Sequence, residues 1–204
     1  MGKQTWKPGN MLYPIPAVMV SVADKQGEEN IITVAWTGTV CSDPAMVYIS
    51  VRPERHSYQM IKETKEFVIN LTTKDLARAT DYCGVVSGRD VDKWQEMKLT
   101  KGEAQTLSYA SIIEECPVNI ECKVTEIKEL GTHHMFLAEV TAVRVSEEYM
   151  NQDGKFELNQ TGLMAYSHGT YLELGAQIGT FGYSVRKKRG ANENRNRGNS
   201  KKGK

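Results

Sequence analysis

Along most of this chain apolar and polar positions alternate with a period of two, and the helical period appears only in short interruptions. Ala17 to Ala23 reads as a strand. Asp24 to Asn30 holds Gly27 and four charged residues and reads as a turn, and Ile31 to Thr37 as the returning strand. Met46 to Arg52 predicts a third strand and Glu66 to Leu71 a fourth. Between these, Ser57 is positioned as an N-cap, with Tyr58, Ile61 and Lys62 spaced for a short helix. Thr73 is positioned to cap a second helix, Lys74 to Tyr82, with Gly84 as its stop. Ser87 to Trp94 reads as a loop entering a third short helix. Val118, Ile120, Cys122 and Val124 alternate on a long strand reaching Leu130, Met135 to Val145 forms another, and Asn151 to Gly154 is a tight turn. Many strands joined by short turns, with helices inserted rather than alternating, predict a mostly β chain built as an antiparallel barrel or sandwich. A parallel βαβ sheet fits poorly, and neither GxGxxG nor a P-loop sequence occurs.

Composition narrows the function classes. The 204 residues suffice for one core, and a net charge of +1 gives no global field toward nucleic acid or an anionic membrane. No apolar run is long enough for a membrane span, and Met1 to Asn10 lacks the apolar stretch of a signal peptide, so a cytoplasmic location is expected. Cys41, Cys83, Cys116 and Cys122 include no CxxC pair and are expected as reduced thiols; Cys116 and Cys122 read as sharing one face of a strand. From Arg186 the chain turns basic and polar. This divides it into a folded domain, residues 1–185, and a tail, residues 186–204, expected to be disordered. Weak nonspecific nucleic-acid contact or docking to an acidic partner are the functional alternatives for that tail.

The chemistry-bearing residues concentrate between Thr33 and Tyr58. Thr33-Val34-Ala35-Trp36-Thr37-Gly38-Thr39-Val40-Cys41 is β-rich and then fills with small, hydroxylated residues. Arg52, Arg55, His56, Ser57 and Tyr58 follow at the start of the first helix. Free amides at a helix N-terminus together with guanidinium forks make an anion site. A Trp beside small residues leaves room for a flat ring, because backbone can approach a ring only where side chains do not block it. Each feature also has an ordinary reading: Trp36 as core, Thr37 to Thr39 as a plain turn, and Arg55 paired with Glu54 or Glu63.

The order strand, TVAWTGTVCSDP, strand, RPERHSY, helix resembles the flavin reductase-like family of FMN-binding split barrels, and most closely its flavoredoxin branch. Ser87 to Trp94, Gly131 to Val140 and Gly179 to Gly182 match in the same order. The resemblance implies a Greek-key split barrel with a few short inserted helices, a homodimer, and non-covalently bound FMN. It implies a ring site wrapped by Thr33, Ala35, Trp36, Thr37, Gly38, Thr39, Val40 and Cys41, largely through backbone amides. It implies phosphate ligands at Arg52, Arg55 and Ser57, with Tyr58 flanking, and Ser87 and Lys93 near the ribityl-phosphate arm. Arg89 and Asp92 stand equally well as a pair with each other. His133 is the catalytic candidate, near the face where an electron donor docks, and strand alternation sends His134 the other way. The function implied is an oxidoreductase passing electrons through FMN, with NAD(P)H as one possible donor and a ferredoxin-like protein as another. No metal, no specific nucleic acid and no membrane is expected. A non-enzymatic β-barrel binding module is the rival of a different class.

Overall fold

The computed structural model describes residues 1–186. The chain divides into two units, Met1–Leu174 and Gly175–Lys204. The first unit carries every sheet and every α-helix among the described residues. In the second, the described residues include one 3-10 turn, Tyr183–Val185. Of the tail predicted from Arg186 onward, residues 187–204 lie outside the described residues.

Among the described residues twelve strands occur in chain order: β1 (Ile15–Pro16), β2 (Val18–Ala23), β3 (Glu29–Val34), β4 (Thr37–Ser42), β5 (Ala45–Val51), β6 (Glu66–Leu71), β7 (Lys101–Gly102), β8 (Ile112–Ile113), β9 (Val118–Leu130), β10 (His133–Val145), β11 (Met164–Ser167) and β12 (Thr170–Glu173). Three short helices interrupt them: α1 (His56–Thr64), α2 (Ala77–Val85) and α3 (Lys93–Glu96). The main sheet has seven strands, ordered β3-β2-β6-β9-β10-β5-β4, every pairing antiparallel. It does not close. Its two edges, β3 and β4, are consecutive in sequence and joined only by Ala35 and Trp36. The barrel is split at that join.

Alternation explains how β3 is fixed there. Val18, Val20, Val22, Ile32 and Val34 face one core, with Ile49, Phe67 and Phe136 and with Ile61 of α1. Met19 and Ile31 face the other way, onto Ala79 and Cys83 of α2 and Trp94 of α3. β2 is therefore buried at every position, which is why it is apolar throughout except at Ser21. β3 is clamped between two cores, and the Thr33 hydroxyl adds a hydrogen bond to the Thr80 carbonyl of α2.

Several sequence expectations shift. The returning strand ends at Val34, and Thr37–Ser42 is a strand of its own, hairpin-paired with β5 on one side. As an exposed edge it has no need of apolar alternation. Ser57 lies inside α1, whose N-cap is Arg55, and its side chain is buried rather than capping. Thr73 heads a 3-10 turn, Lys74–Leu76, without a side-chain cap, and α2 begins at Ala77. α2 runs through Gly84 to Val85 because Gly84 packs on Thr33: a methyl there would sit 3.2 Å from the Thr33 Cβ. Cys116 precedes β9, so it shares no strand face with Cys122; all four cysteines are free thiols. In the tight turn the Asn151 side-chain oxygen accepts from the amides of Asp153 and Lys155, and Gly154 takes φ 74°.

Candidate functional site

A groove of three adjoining clefts opens along the split. The first, about 310 Å³, is lined by Arg52, Glu54, Arg55, His56 and Ser57 from the β5–α1 turn, by Asn30 and Ile32 of β3, and by Cys83, Val86, Ser87, Gly88, Arg89 and Lys93 from α2 to α3. The second, about 140 Å³, shares Ile32, Arg52 and Arg55 with the first and adds Thr33, Val34, Ala35, Trp36, Ser50, Val51 and His133. The third, about 610 Å³, shares Ala35, Trp36, Ser50 and His133 with the second and extends to Thr37, Tyr48, Leu130 and the N-terminal residues Gly9 to Leu12.

The first cleft is cationic and rigidly built. Arg55 closes the turn with its amide on the Arg52 carbonyl at 3.0 Å, which places both arginines at the start of α1. Arg52 lies 3.6 Å from Glu54, the two being 48% and 65% exposed, whereas Arg55 has no ion-pair partner among the described residues. The Ser57 hydroxyl accepts from the Asn30 side chain at 2.9 Å, which leaves its own proton for a ligand. Gly88 is required here: a methyl at that position would overlap the Asn30 carboxamide. Arg89 does not pair with Asp92. Its guanidinium donates to the Glu54 carbonyl at 3.2 Å, and Asp92 instead caps α3, accepting from Trp94 and Gln95.

Lys93 is the buried charge of this cleft, 3 % exposed. Its Nζ donates to the carbonyls of Ile31 at 2.7 Å and Cys83 at 2.8 Å. An ammonium has three donors, so one is left for the cleft. Desolvation pushes the ammonium down to about 8, with Arg55 pushing the same way. Burial also raises the neighbouring Cys83 thiol to about 11, so that thiol stays protonated at neutral pH.

The other end carries no formal charge. Trp36 and Tyr48 supply aromatic surface, and the Thr37 hydroxyl is committed to the Tyr48 carbonyl at 2.7 Å. The Trp36 carbonyl accepts from the Ser50 amide at 2.8 Å, but the amides of Ala35 and Trp36 make no backbone hydrogen bond among the described residues. Two unspent N–H donors therefore lie at the join of the split sheet. His133 lines the second and third clefts, and burial followed by the Arg52 charge lowers its pKa, so the imidazole is neutral at neutral pH.

Of the residues expected from sequence, the groove brings together Thr33, Ala35, Trp36, Thr37, Arg52, Arg55, Ser57, Ser87, Lys93 and His133. It does not gather the rest. Thr39 and Val40 are exposed along the β4 edge, Gly38 faces Tyr48 across the β4–β5 pair, and Cys41 sits at the hairpin end with its thiol toward the Asp43 carbonyl. Tyr58 turns inward: it is buried, edge-on to Phe136, and its hydroxyl lies 2.7 Å from His134 Nδ1. Thr33 lines the groove with its hydroxyl already spent on Thr80. His56, Gly88 and Arg89 line the groove from the two stretches that the sequence singles out, whereas Asn30 reads in sequence as part of a polar turn, and only its burial at the head of β3 marks it as more.

The flavin reductase-like domain model matches residues 11–175. The chain belongs to the flavin reductase-like family. It is 30% identical over 159 residues to a protein of Archaeoglobus fulgidus, covering 78% of this chain and 86% of that one. Among solved structures it is similar to the flavoredoxin of Desulfovibrio vulgaris (Miyazaki F), at 26% identity and TM-score 0.83, covering 91% of this chain and all of that one. The flavoredoxin of Methanosarcina acetivorans is similar at 27% identity and TM-score 0.79, with the same coverage. The FMN-binding protein of Thermus thermophilus, at 22% identity and TM-score 0.72 over 88% of this chain and 98% of that one, shares the fold. The fold is thus the mostly β split barrel of this family, with three short helices, and its sheet stays open between β3 and β4.

Proposed function

We propose that this protein binds FMN non-covalently in the split-barrel groove and passes electrons through it. The observation that carries this is the polarity of one continuous groove. Its closed end offers guanidinium groups, a buried ammonium and the start of a helix; its open end offers aromatic surface and unspent amides without a single formal charge. A ligand with a dianionic phosphate at one end and a flat neutral ring at the other matches both halves. FMN, when bound, supplies the acceptance and release of one or two electrons. The chain does the rest. Arg55, Lys93 and Ser57 hold the phosphate, Arg52 screens it, and the α1 amides of His56 and Ser57 complete the anion site. The amides of Ala35 and Trp36 aim donors at the ring where charge develops on reduction. His133, neutral, stands at the face left for the redox partner.

The test is to purify the protein, identify any bound flavin by mass spectrometry, and titrate flavin-free protein with FMN and riboflavin. FMN is expected to bind and riboflavin, lacking the phosphate, to bind far more weakly. Equal affinities would place the phosphate outside the cationic cleft. Anaerobic mixing with NADH, NADPH and reduced ferredoxin then identifies the donor. The likeness to two flavoredoxins favours, as a second reading, an electron carrier reduced by a protein without NAD(P)H turnover. We further propose a homodimer in a cytoplasmic protein. Val40 on the β4 edge and Val143 and Val145 of β10 leave apolar surface exposed for a second copy. Light scattering near the 22.9 kDa monomer mass would refute the dimer.

A further inference from the structure

A fourth cleft, about 370 Å³, lies beside the cationic one and meets it at Gly88 and Arg89. Glu29 at the head of β3, Trp94 of α3 and Lys101 of β7 line it, and neither Glu29 nor Trp94 lines any cleft of the groove. Among the described residues, the buried side-chain polar atoms without a hydrogen-bond partner are Glu29 Oε2 and Trp94 Nε1. Both belong to this one cleft. Trp94 is 3% exposed and packs with Met19, Ile31 and Cys83, which fixes its ring. Lys101 joins the pair: its Nζ donates to Glu29 Oε1 at 3.1 Å and lies 5.3 Å from the centre of the Trp94 ring. A buried carboxylate oxygen and a buried N–H, both unpaired, carry a desolvation cost that only a partner removes. Lys101, its side chain 46% exposed, is the flexible member of the group and can swing outward to admit one.

We propose that this cleft binds the vicinal hydroxyls of a neutral sugar or polyol. The argument is one of pairing. Glu29 Oε2 accepts and Trp94 Nε1 donates, so the ligand must bring a donor and an acceptor together. A hydroxyl is both. An ammonium would leave the indole N–H unpaired, and a phosphate or carboxylate would meet the Glu29 oxygen with like charge. A second hydroxyl also finds partners. Lys101 keeps ammonium donors beyond the one given to Glu29, and the Asp90 carboxylate, in no ion pair among the described residues, accepts. A metal ion does not fit, since no three His, Cys, Asp or Glu among the described residues are grouped to hold one. Glu28 pairs with His56, and Asp92 caps α3. The space exceeds that of one water, whose share of the liquid is about 30 Å³. The site lies outside the groove given to the flavin and does not rest on the flavin reading. Two sources supply its ligand chemistry: a free sugar, or a sugar phosphate whose phosphate reaches past Gly88 and Arg89 into the cationic cleft.

Methyl β-D-ribofuranoside and its 2-deoxy counterpart are the probes, with putrescine as the amine control. Each is titrated into full-length, flavin-free protein labelled with nitrogen-15. The Trp94 indole signal, assigned by its loss in Trp94→Phe, is followed. The riboside should move that signal downfield to saturation and bind roughly fivefold more tightly than the 2-deoxy form. Glu29→Gln should weaken the riboside about tenfold, and Trp94→Phe about fivefold as read from the backbone amides of Val91 and Asp92, while the FMN dissociation constant of both variants changes less than about twofold. A Trp94 signal that the riboside does not move overturns the proposal and leaves the orphan pair to water. Equal riboside affinity in wild type and Glu29→Gln overturns it as well, and so does putrescine binding more tightly than the riboside. Ribose 5-phosphate separates the two sources. Affinity above the riboside's that FMN competes away supports a sugar phosphate, and equal affinity that FMN leaves unchanged supports a free sugar. Should FMN itself fail to bind, the flavin reading falls, and the riboside titrations still decide this cleft.

Discussion

With FMN bound as proposed, Lys93 should make binding a proton-linked event with a definite pH window. The perturbation is pH itself, from 7 to 9. In the flavin-free protein the ammonium sits below its ordinary value of 10.5, at about 8, because burial strips its water. Between about 8 and 10.5 the folded state holds fewer protons than the unfolded chain. The stability of the flavin-free protein therefore rises with pH across that window, and below it the buried ammonium costs about 3 kcal/mol. A phosphate dianion offsets that cost by pairing with the charge, so the bound form requires Lys93 protonated. Above pH 8 each binding event must take up a proton, and log Kd rises by one per pH unit. The expected result is an FMN affinity about tenfold weaker at pH 9 than at pH 7. Quenching of flavin fluorescence reads it directly. Riboflavin has no phosphate and should show no slope. Lys93→Met should bind FMN about 1.5–3 kcal/mol more weakly at pH 7 and lose the slope. A flat FMN curve in wild type would refute the reasoning and move the phosphate away from Lys93.

Arg55→Ala should cost about 1.5–3 kcal/mol of FMN affinity and Arg52→Ala about 1 kcal/mol, since Arg52 is half-exposed and shared with Glu54; titration showing equal losses would contradict the asymmetry. His133→Ala should slow flavin reduction in stopped-flow while sparing FMN affinity. His134→Ala should do the reverse of catalytic damage, lowering stability by about 1–3 kcal/mol through the orphaned Tyr58 hydroxyl and leaving the reduction rate unchanged. Gly88→Ala should weaken FMN at least roughly fivefold, because the added methyl displaces Asn30 and with it the Ser57 hydroxyl. An unchanged Kd for that variant would detach Ser57 from the phosphate site.

Where local pattern and tertiary demand coincide, the sequence is readable. β2 and β6 are buried almost throughout, and their apolar runs say so; α1 shows its apolar spacing because one face meets the core. Misreadings arise where partners are distant. Thr37–Ser42 looks like a loop because an edge strand paired on one side needs no apolar set. Gly84 looks like a helix stop because its reason, the Thr33 side chain, lies on β3. Ser57 looks like a cap, and only the fold, which sets it against Asn30 of β3, buries it inside α1. Tyr58 follows two site residues in sequence, but the helix turns it into the core onto His134. That Lys93 is buried has no local signature. Its burial is set by carbonyls 62 and 10 positions away.

The open sheet and the site have one cause. A sheet edge leaves backbone donors and acceptors without partners, and proteins normally close, cover or shorten such edges. Here β3 and β4 end the sheet as sequence neighbours, and the two residues between them, Ala35 and Trp36, carry unspent amides. The cores on both faces of β3 hold that edge rigid, so it can neither collapse onto β5 nor pair with β4. A planar ligand whose rim is lined with acceptors supplies what the missing pairing does not. Binding at the join should then stabilise the fold by an amount set by mass action, about 2.7 kcal/mol at a hundredfold excess over Kd. It should also slow hydrogen exchange at the amides of Ala35 and Trp36 more than at the paired amides of β5. Uniform protection across both strands would mean that the ligand sits on the barrel rather than in its seam.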